Sequence, residues 1–578
     1  MPLRVCGVAF CLATGFTDFL IKKENKKTSK YRECQVEYAI NMCYNHNWCQ
    51  NEKYDRKNPI KYLQRNGAYM KYTADLTKSI DFNNKAVHCV GTGRMDLALH
   101  KEYLDQLKLV QDEIGFSYIR GHGLFSKYMG IYREFGFGDA PKKVAYGFTY
   151  LDMVMDSYLE MNIKPFLELG FMPDDLASSN EAIFFWKGKV SPPKDYDKWA
   201  ALIQATLRHL IDRYGIEEVR TWPVEVWNEP NLPGFWKNAD MDEYFKLYEV
   251  SSKAVKEVDD RIEVGGPAIC GVDDERWLKC FLDFVRDKKL PLDFVSRHHY
   301  TSYSPTLNGH YSYIDLHEPE YAFGCLERSR DIVDSYPEFA GKRLFITEFN
   351  TSYVPNAPVH DTVFNAAYVA HMLSRLGDKN DSYSYWTFGD VFEEFGIPYT
   401  PFHGGFGLVA DGLIKKPTFY SFAFYKKLEG ICVLKNDDCV AVKTANGDIR
   451  GILWNPNFYN EGVTKDISIE IENLEDGEYF VLEKYVDETH ANPLKVWHEM
   501  GEPSSLTCDE KILLRQAAEP GIETCNINAR NGRLALSHVL KPNELRYFEI
   551  KKINRISDDG YDYEKVISQK CVPDENQP

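Results

Sequence analysis

The sequence has no run of about 20 uninterrupted apolar residues, which excludes an obvious membrane-spanning helix. It lacks a basic excess. Its 69 Lys and Arg face 86 Asp and Glu, a formal charge of −17, and this argues against nucleic-acid or anionic-membrane partners, whose phosphates select clustered cations. It lacks a disulfide framework: the 14 Cys are scattered, with Cys6, Cys11, Cys34, Cys43 and Cys49 crowding the start, and they read as free thiols of a reducing compartment. A cytoplasmic location is therefore expected in preference to secretion. The short apolar run at 5–16 resembles a signal-peptide core, but Lys22, Lys23, Lys26 and Lys27 follow it without a small-x-small cleavage site. Cys34, Cys43, His46 and Cys49 lack the paired spacing of a zinc site, so no metal is expected there. Val90-Gly91-Thr92-Gly93-Arg94 has two glycines but not the third of a dinucleotide loop, so no nucleotide cofactor is expected. There is no internal repeat or low-complexity tract.

What is abundant is aromatic: 10 Trp, 37 Tyr and 34 Phe, within a hydrophobic fraction of 44% that excludes a disordered chain. Much of this is core, but aromatic faces also make platforms for sugar rings. From about residue 88 a rhythm of short apolar strand, loop and amphipathic helix sets in. Strands are expected at 88–93, 116–123, 163–170, 225–230, 263–268, 293–300, 343–350 and 382–388. Between them lie helical stripes such as Tyr103, Leu107, Val110 and Ile114, or Leu202, Ile203, Leu207, Leu210 and Ile211 after Trp199. Eight such units predict an α/β chain built on a (β/α)8 barrel at 88–428; a doubly wound open sheet is the competing architecture.

After about Gly430 the period shortens. Cys439-Val-Ala-Val-Lys443, Asn446-Gly447 and Ile449-Arg-Gly-Ile-Leu-Trp454 read as a hairpin with a type I′ turn. Strands 467–471, 479–482, 534–536 and 545–550 continue the pattern, predicting an appended β-sandwich at 429–556. The expected divisions are completed by a poorly patterned extension at 1–69, a lead-in strand region at 70–87 that joins the sandwich, and a polar tail at 557–578.

In a barrel of this kind chemistry collects at the C-terminal strand ends. Those ends read Arg120-Gly-His122-Gly123, Glu168-Leu-Gly170, Trp227-Asn228-Glu229-Pro230-Asn231, His298-His299-Tyr300, Thr347-Glu348-Phe349-Asn350 and Trp386-Thr-Phe388-Gly-Asp390. Glu229 and Glu348 are far apart in sequence but end strands four and seven, which face each other across a closed barrel. Two carboxyl groups flanking one bond are what glycoside cleavage needs, one to protonate the leaving oxygen and one to attack or to activate water. Each Glu alone could equally cap a helix or pair with an Arg; the opposed pair with aromatics beside it is the stronger signal. Glu168 reads as a structural ion-pair partner. Asn228 is placed to bond a sugar hydroxyl, or else to tie two loops together. His298 and His299 point to opposite strand faces and so do not form a metal pair.

Taken in order, several of these stretches resemble glycoside hydrolase family 39, the β-xylosidase and α-L-iduronidase family. They are Val90-Gly-Thr-Gly-Arg94, Arg120-Gly-His-Gly123, Lys164-Pro-Phe-Leu-Glu-Leu-Gly-Phe-Met-Pro173, Ser191-Pro-Pro-Lys-Asp195, Glu225-Val-Trp-Asn-Glu-Pro-Asn231 and Ile346-Thr-Glu-Phe-Asn-Thr-Ser-Tyr353. The resemblance spans roughly residues 70–550, and the bacterial β-xylosidases are most similar. It implies a retaining mechanism with Glu229 as acid/base and Glu348 as nucleophile. It also implies sugar contacts from Asn228, His122, His298, Tyr300, Trp386, Glu393 and Glu394. Two features depart from the family pattern. Residues 1–69 have no counterpart, which makes Met70 a candidate start, and Gly121 stands where many relatives carry Phe, a change expected to alter the pocket wall.

The expected function is hydrolysis of terminal β-D-xylosyl residues from xylo-oligosaccharides by double displacement, as a xylan 1,4-β-xylosidase without a cofactor. The expected partner is a small carbohydrate, and a homo-oligomer is compatible with the sequence. The pattern leaves open the same chemistry on an α-L-iduronide, β-glucoside or α-L-arabinopyranoside, and a non-catalytic carbohydrate-binding protein. A uronide substrate calls for a cation facing its carboxylate, and Arg297 is the one unmatched strand-end candidate.

Overall fold

The computed structural model describes residues 69–138, 141–554, 558 and 560–570. The expectations for residues 1–68, including the leader-like run and the Cys/His cluster, lie outside the described residues.

Eight parallel strands close into a barrel in chain order: β1 (Cys89–Arg94), β2 (Tyr118–His122), β3 (Lys164–Glu168), β4 (Val224–Glu225), β5 (Val264–Ile269), β6 (Phe294–Tyr300), β7 (Arg343–Asn350) and β8 (Ser382–Tyr385). The closing pairs are β4 with β5 and β8 with β1, so the chain forms the closed (β/α)8 barrel and not the open sheet. The main helices are α1 (Lys101–Glu113), α2 (Thr149–Glu160), α3 (Tyr196–Tyr214), α4 (Met241–Val258), α5 (Asp274–Lys288), α6 (Pro319–Asp334), α7 (Val363–Leu376) and α8 (Phe419–Tyr425).

The helices start and pack where the sequence directs. For α3, the Asp195 carboxylate caps the free amides of Asp197 and Lys198, and Gly215 at φ 82° ends the helix. Trp199, Leu202, Ile203, Leu207 and Leu210 form its buried stripe. Each fully buried Leu or Ile of that stripe contributes about 1.5–3 kcal/mol relative to exposure. At the barrel floor Phe166, Phe294 and Phe345 pack with Cys89, the Phe294 and Phe345 rings stacking at 4.7 Å. These side chains fill that end of the barrel with apolar packing.

The strand expected at 225–230 is much shorter. β4 stops at Glu225 because the backbone then leaves the extended region: Trp227 sits at φ 72° and Glu229 at φ 44°. Left-handed conformations at non-glycine residues cost on the order of 1–3 kcal/mol each and persist only where packing dictates them. Here the Trp227 indole N–H donates to the Phe235 carbonyl, and the Glu229 amide donates to the Ala268 carbonyl of β5.

The C-terminal unit consists of β9 (Ile431–Lys435), β10 (Cys439–Lys443), β11 (Ile449–Trp454), β12 (Lys465–Glu472), β13 (Gly477–Val486), β14 (Gly521–Ala529), β15 (Arg533–Leu540) and β16 (Leu545–Lys552). Six strands form one sheet in the order β9-β10-β11-β16-β13-β14. The other sheet has β12 at its centre, flanked by β15 and by the strand Met70–Asp75, which pairs parallel to β12. Ile467, Ile469, Ile471, Leu536, Val481, Phe548 and Ile550 fill the space between. The turn between β10 and β11 is not type I′. Only Gly447, at φ 85°, adopts a positive angle, and the Thr444 amide donates to Asp448; this fits a type I turn followed by a left-handed residue. Two helices absent from the sequence expectation, Pro493–Glu499 and Cys508–Ala517, pack through Trp497 and Leu514 onto Phe402, Ala410 and Ile414 of the barrel. No helix among the described residues is long and apolar enough to cross a membrane.

Ile469 is fully buried opposite Tyr72 of the first strand. Ile469→Ala is expected to lower stability by about 2–5 kcal/mol, the usual cost of a core cavity, read from denaturant unfolding. Unchanged stability would show that this sheet carries none of the fold's cohesion.

Candidate active site

The barrel mouth is built around one cation. Arg120, on β2, is fully buried. Its Nε donates to Glu225 Oε2 at 2.6 Å, Nη1 to Glu348 Oε1 at 2.7 Å and Nη2 to Asn228 Oδ1 at 3.0 Å, while Nη2 also lies 3.0 Å from Glu168 Oε2. Thr347 Oγ1 donates to the remaining oxygen of Glu225 at 2.9 Å. One guanidinium thus ties strands β2, β3, β4 and β7 together. Two strand positions further on, on the same face, His122 Nδ1 contacts Glu168 Oε2 at 2.7 Å. Glu168 thereby occupies the ion-paired position read for it.

Glu348 has a second set of partners. The Tyr300 hydroxyl donates to Oε2 at 2.7 Å, His122 Nε2 lies 3.6 Å from Oε1 and His298 Nδ1 lies 3.4 Å from Oε2. Glu229 has one contact of this kind, His298 Nδ1 at 2.9 Å from Oε1. Oxygens of Glu229 and Glu348 and a nitrogen of His298 all lie within 4.8 Å of one another.

This asymmetry decides the protons. Burial pushes Glu229 well above the usual carboxylate range, and the nearby Glu348 pushes it further. Burial also raises Glu348, but Arg120, His122 and the Tyr300 hydroxyl pull it back. A proton shared by the pair therefore resides on Glu229, leaving Glu348 ionised. Burial, then Arg120, hold His298 well below its ordinary value, so its imidazole is neutral. Glu394 is likewise raised well above the usual range, by burial first and then by Glu348 and Glu229.

Trp386 follows β8. It forms one wall, its ring 4.7 Å from that of His122 and 6.0 Å from the Arg120 guanidinium carbon. The two glycines of Val90-Gly91-Thr92-Gly93-Arg94 make room for this wall. A Cβ on Gly91 would lie 2.3 Å from Trp386 and one on Gly93 2.9 Å from Phe392, a steric use unrelated to nucleotides. Arg94 of the same run holds Glu393 at 2.6 Å and lies over the Tyr128 ring. Glu394 lies 3.8 Å from His122 Nε2. All nine residues read from sequence (Asn228, Glu229, Glu348, His122, His298, Tyr300, Trp386, Glu393 and Glu394) are thus at or beside one mouth.

Two expectations change. A Cβ on Gly121 would point at Thr92 and Met95 of the neighbouring segment, so this position shapes strand packing, not the pocket wall. Arg297 turns away from the mouth: it pairs with Asp274 at 2.9 Å and bonds Ser329 of α6. Arg120, Glu225 and Arg94 went unrecognised as site residues. The alternation of Arg120 and His122 on one strand was the available signal, since it places both on the inner face.

Glu229, His298 and Glu348 form the one grouping of three potential metal ligands among the described residues. The donor atoms are already engaged: His298 Nδ1 lies within hydrogen-bond distance of Glu229 at 2.9 Å, and the Arg120 cation is bonded to Glu348. The donor set fits a proton-handling pair better than a cation site.

Arg120→Met would leave Glu168, Glu225 and Glu348 buried without their counter-charge. The expected cost is on the order of 3–5 kcal/mol in thermal or denaturant unfolding. Stability equal to the wild type would contradict the central role given to this side chain.

Comparison with known proteins agrees with this geometry. The family described as "Glycosyl hydrolases family 39" matches residues 73–535. A protein named "Beta-xylosidase" from Geobacillus stearothermophilus is 49% identical over 469 residues, covering 80% of this chain and 92% of that one. Another of that name from Caldicellulosiruptor saccharolyticus is 36% identical, covering 78% and 92%. Among solved structures, a monomeric beta-xylosidase from Caulobacter crescentus CB15 superposes with a TM-score of 0.77 at 30% identity, covering 84% of this chain and all of that one. With its family signature running through nearly the whole described chain and its paired carboxylates at the mouth of a closed barrel, the protein belongs to glycosyl hydrolase family 39.

Proposed function

We propose that the protein is a retaining exo-β-xylosidase, releasing terminal β-D-xylosyl residues from xylo-oligosaccharides. The observation that carries this is the approach of Glu229 and Glu348 oxygens to within 4.8 Å of each other, in surroundings that raise Glu229 above the usual carboxylate range through burial and the neighbouring Glu348. Retaining enzymes hold their carboxyls about 5–5.5 Å apart, so that one attacks the anomeric carbon directly; inverting enzymes leave about 6.5–9.5 Å for a water molecule.

In this reading Glu348 Oε attacks the anomeric carbon while Glu229 gives its proton to the departing glycosidic oxygen. A covalent xylosyl ester on Glu348 results. Glu229, now ionised, takes a proton from an incoming water, whose oxygen displaces Glu348 from the anomeric carbon. Each step leaves Glu229 in the protonation state that the other requires: ionised after the first, protonated again after the second. Arg120 and Tyr300 keep the nucleophile ionised and oriented. Asn228, fixed through its Oδ1 to Arg120, keeps its amide N–H groups for a sugar hydroxyl. Trp386 supplies the stacking wall, and Glu393 and Glu394 supply acceptors for the hydroxyls of the terminal ring.

The choice of a neutral sugar has its own support. The cations at the mouth are already paired, Arg120 with Glu168, Glu225 and Glu348 and Arg94 with Glu393, and Arg297, the candidate cation for a uronate, faces Asp274. A substrate carboxylate would meet repulsion without a free counter-charge. Xylose among neutral sugars follows from the names of the relatives at 49% and 36% identity.

Three outcomes are expected. An activated fluoro-xyloside labels the peptide containing Glu348; label elsewhere, or none, would remove the nucleophile assignment. Glu348→Ala abolishes turnover of aryl β-xylosides, and azide restores it with formation of the α-glycosyl azide. The third concerns pH. Glu229 must be protonated in the free enzyme, so kcat/KM falls as pH rises through its raised pKa, above the ordinary carboxylate range. Glu229→Gln is expected to abolish that alkaline limb and to slow poor leaving groups far more than activated ones. Persistence of the limb in the variant would assign it to another group.

A further inference from the structure

A second buried charge cluster lies beside the mouth, outside the catalytic network. Lys416 is fully buried, just after the short strand Ile414–Lys415. Its Nζ donates to the Gly405 carbonyl at 2.7 Å and forms ion pairs with Asp361 Oδ1 at 2.6 Å and Asp390 Oδ2 at 2.8 Å. The two carboxylates pass the connection on. Asp361 Oδ2 accepts from the Gly404 amide at 2.8 Å, and Asp390 Oδ1 accepts from the Gly407 amide at 2.7 Å. His360 Nδ1 donates to the Gly404 carbonyl at 2.8 Å. The site tolerates no side chain at Gly404, where φ is 79° and a Cβ would lie 2.4 Å from the Ala357 backbone.

The cluster therefore joins both ends of one loop. Asp390 begins it and the stretch 404–407 ends it; between them stand Glu393 and Glu394. The same closure sets the aromatic wall. Phe406 packs edge-on against Phe392 at 5.3 Å, and Phe392 packs edge-on against Trp386 at 6.0 Å. Asn350 Nδ2, two residues beyond Glu348, donates to the Trp386 carbonyl at 2.5 Å. Toward its outer end the loop is also tied by the Arg94–Glu393 ion pair at 2.6 Å and by the Phe185 amide to the Glu394 carbonyl at 2.7 Å.

We propose that Lys416 is a positioning residue whose three-way clamp holds the 391–406 loop against the mouth, so that it governs retention of the terminal sugar and not the bond-breaking step. The inference rests on the glycosidase reading of the mouth. Removing the lysine leaves two buried aspartates with no shared counter-charge, so they repel and each needs water. The loop ends then part and Glu394 loses its fixed placement, while Arg94 still holds Glu393 and Asn350 still holds Trp386. Glu229, Glu348 and Arg120 stand on other strands and keep theirs. The signature is a raised KM with kcat nearly unchanged, as expected when an interaction made equally in ground and transition states is lost.

The test uses the full chain with Lys416→Met and, as the milder variant, Asp361→Asn, each shown to be folded by circular dichroism. The fluoro-xyloside trap on the wild type comes first; its failure would count against the glycosidase reading alone. With that label in place, Lys416→Met is expected to raise KM for an aryl β-xyloside at least about tenfold with kcat within about threefold, and Asp361→Asn to move KM in the same direction by less. Free xylose should weaken as a competitive inhibitor in parallel. Unchanged KM in a folded variant overturns the proposal, and so does a fall in kcat at constant KM. If Lys416→Met fails to fold, Asp361→Asn decides by the same two readings.

Discussion

The constraint on which the mouth depends is a guanidinium buried among acids. Taking Arg120, Glu168, Glu225 and Glu348 out of water is expensive for each charge, and such a group survives only if donors and acceptors are matched. Nearly all are matched: every nitrogen of Arg120 has a carboxylate or amide partner and Thr347 satisfies the far side of Glu225, leaving Glu168 Oε1 as the one unpartnered oxygen of these acids. The chemical consequence comes from the one acid left out. Glu229 has no bond to Arg120 and shares its space with Glu348, so it retains the proton. The uneven placement of one cation thus gives two identical side chains different protonation, which is what the proposed acid and nucleophile roles require.

The same logic explains why the fourth strand breaks off early. Had β4 continued to residue 230, strict alternation would send Asn228 and Glu229 to opposite faces. Trp227 and Glu229 in the left-handed region re-aim the chain, so that Asn228 reaches Arg120 while Glu229 reaches His298. The cost of these angles is met by the packing of Trp227, whose indole stacks edge-on against Trp236 at 4.9 Å and bonds the Phe235 carbonyl. The aromatic load of the sequence is spent heavily here, in making a strained turn the only arrangement that packs.

This division also marks what can be read from sequence. Barrel and sandwich follow from period: 3.6 for Tyr103, Leu107, Val110 and Ile114, two for the strands after residue 430. The pair Glu229 and Glu348 follows from both residues ending strands that oppose one another. Arg120 was hidden because a lone Arg in a strand reads as an ordinary ion-pair partner; only three-dimensional closure shows four groups converging on it. Lys416 was hidden more deeply, since Asp361, Asp390 and Lys416 share no spacing and belong to three separate segments, the first ending the short helix Pro358–Asp361. The helices Pro493–Glu499 and Cys508–Ala517 were missed because they interrupt a strand pattern with short segments, one of which buries little more than Leu514.

Two charge networks of similar composition therefore do different work. Around Arg120 the acids outnumber the cation and one is left protonated, which makes the cluster reactive. Around Lys416 two carboxylates meet one ammonium, each acid also accepts a backbone amide, and both are tied to main chain that must stay still. That balance makes a fastener. The networks meet at Asn350, whose amide holds the Trp386 carbonyl two residues beyond Glu348. Trp386 is thereby tied to β7, while Glu393 and Glu394 ride on the loop that Lys416 closes. Chemistry and retention can then be tuned apart only by changes that lie beyond this junction, on the Lys416 side.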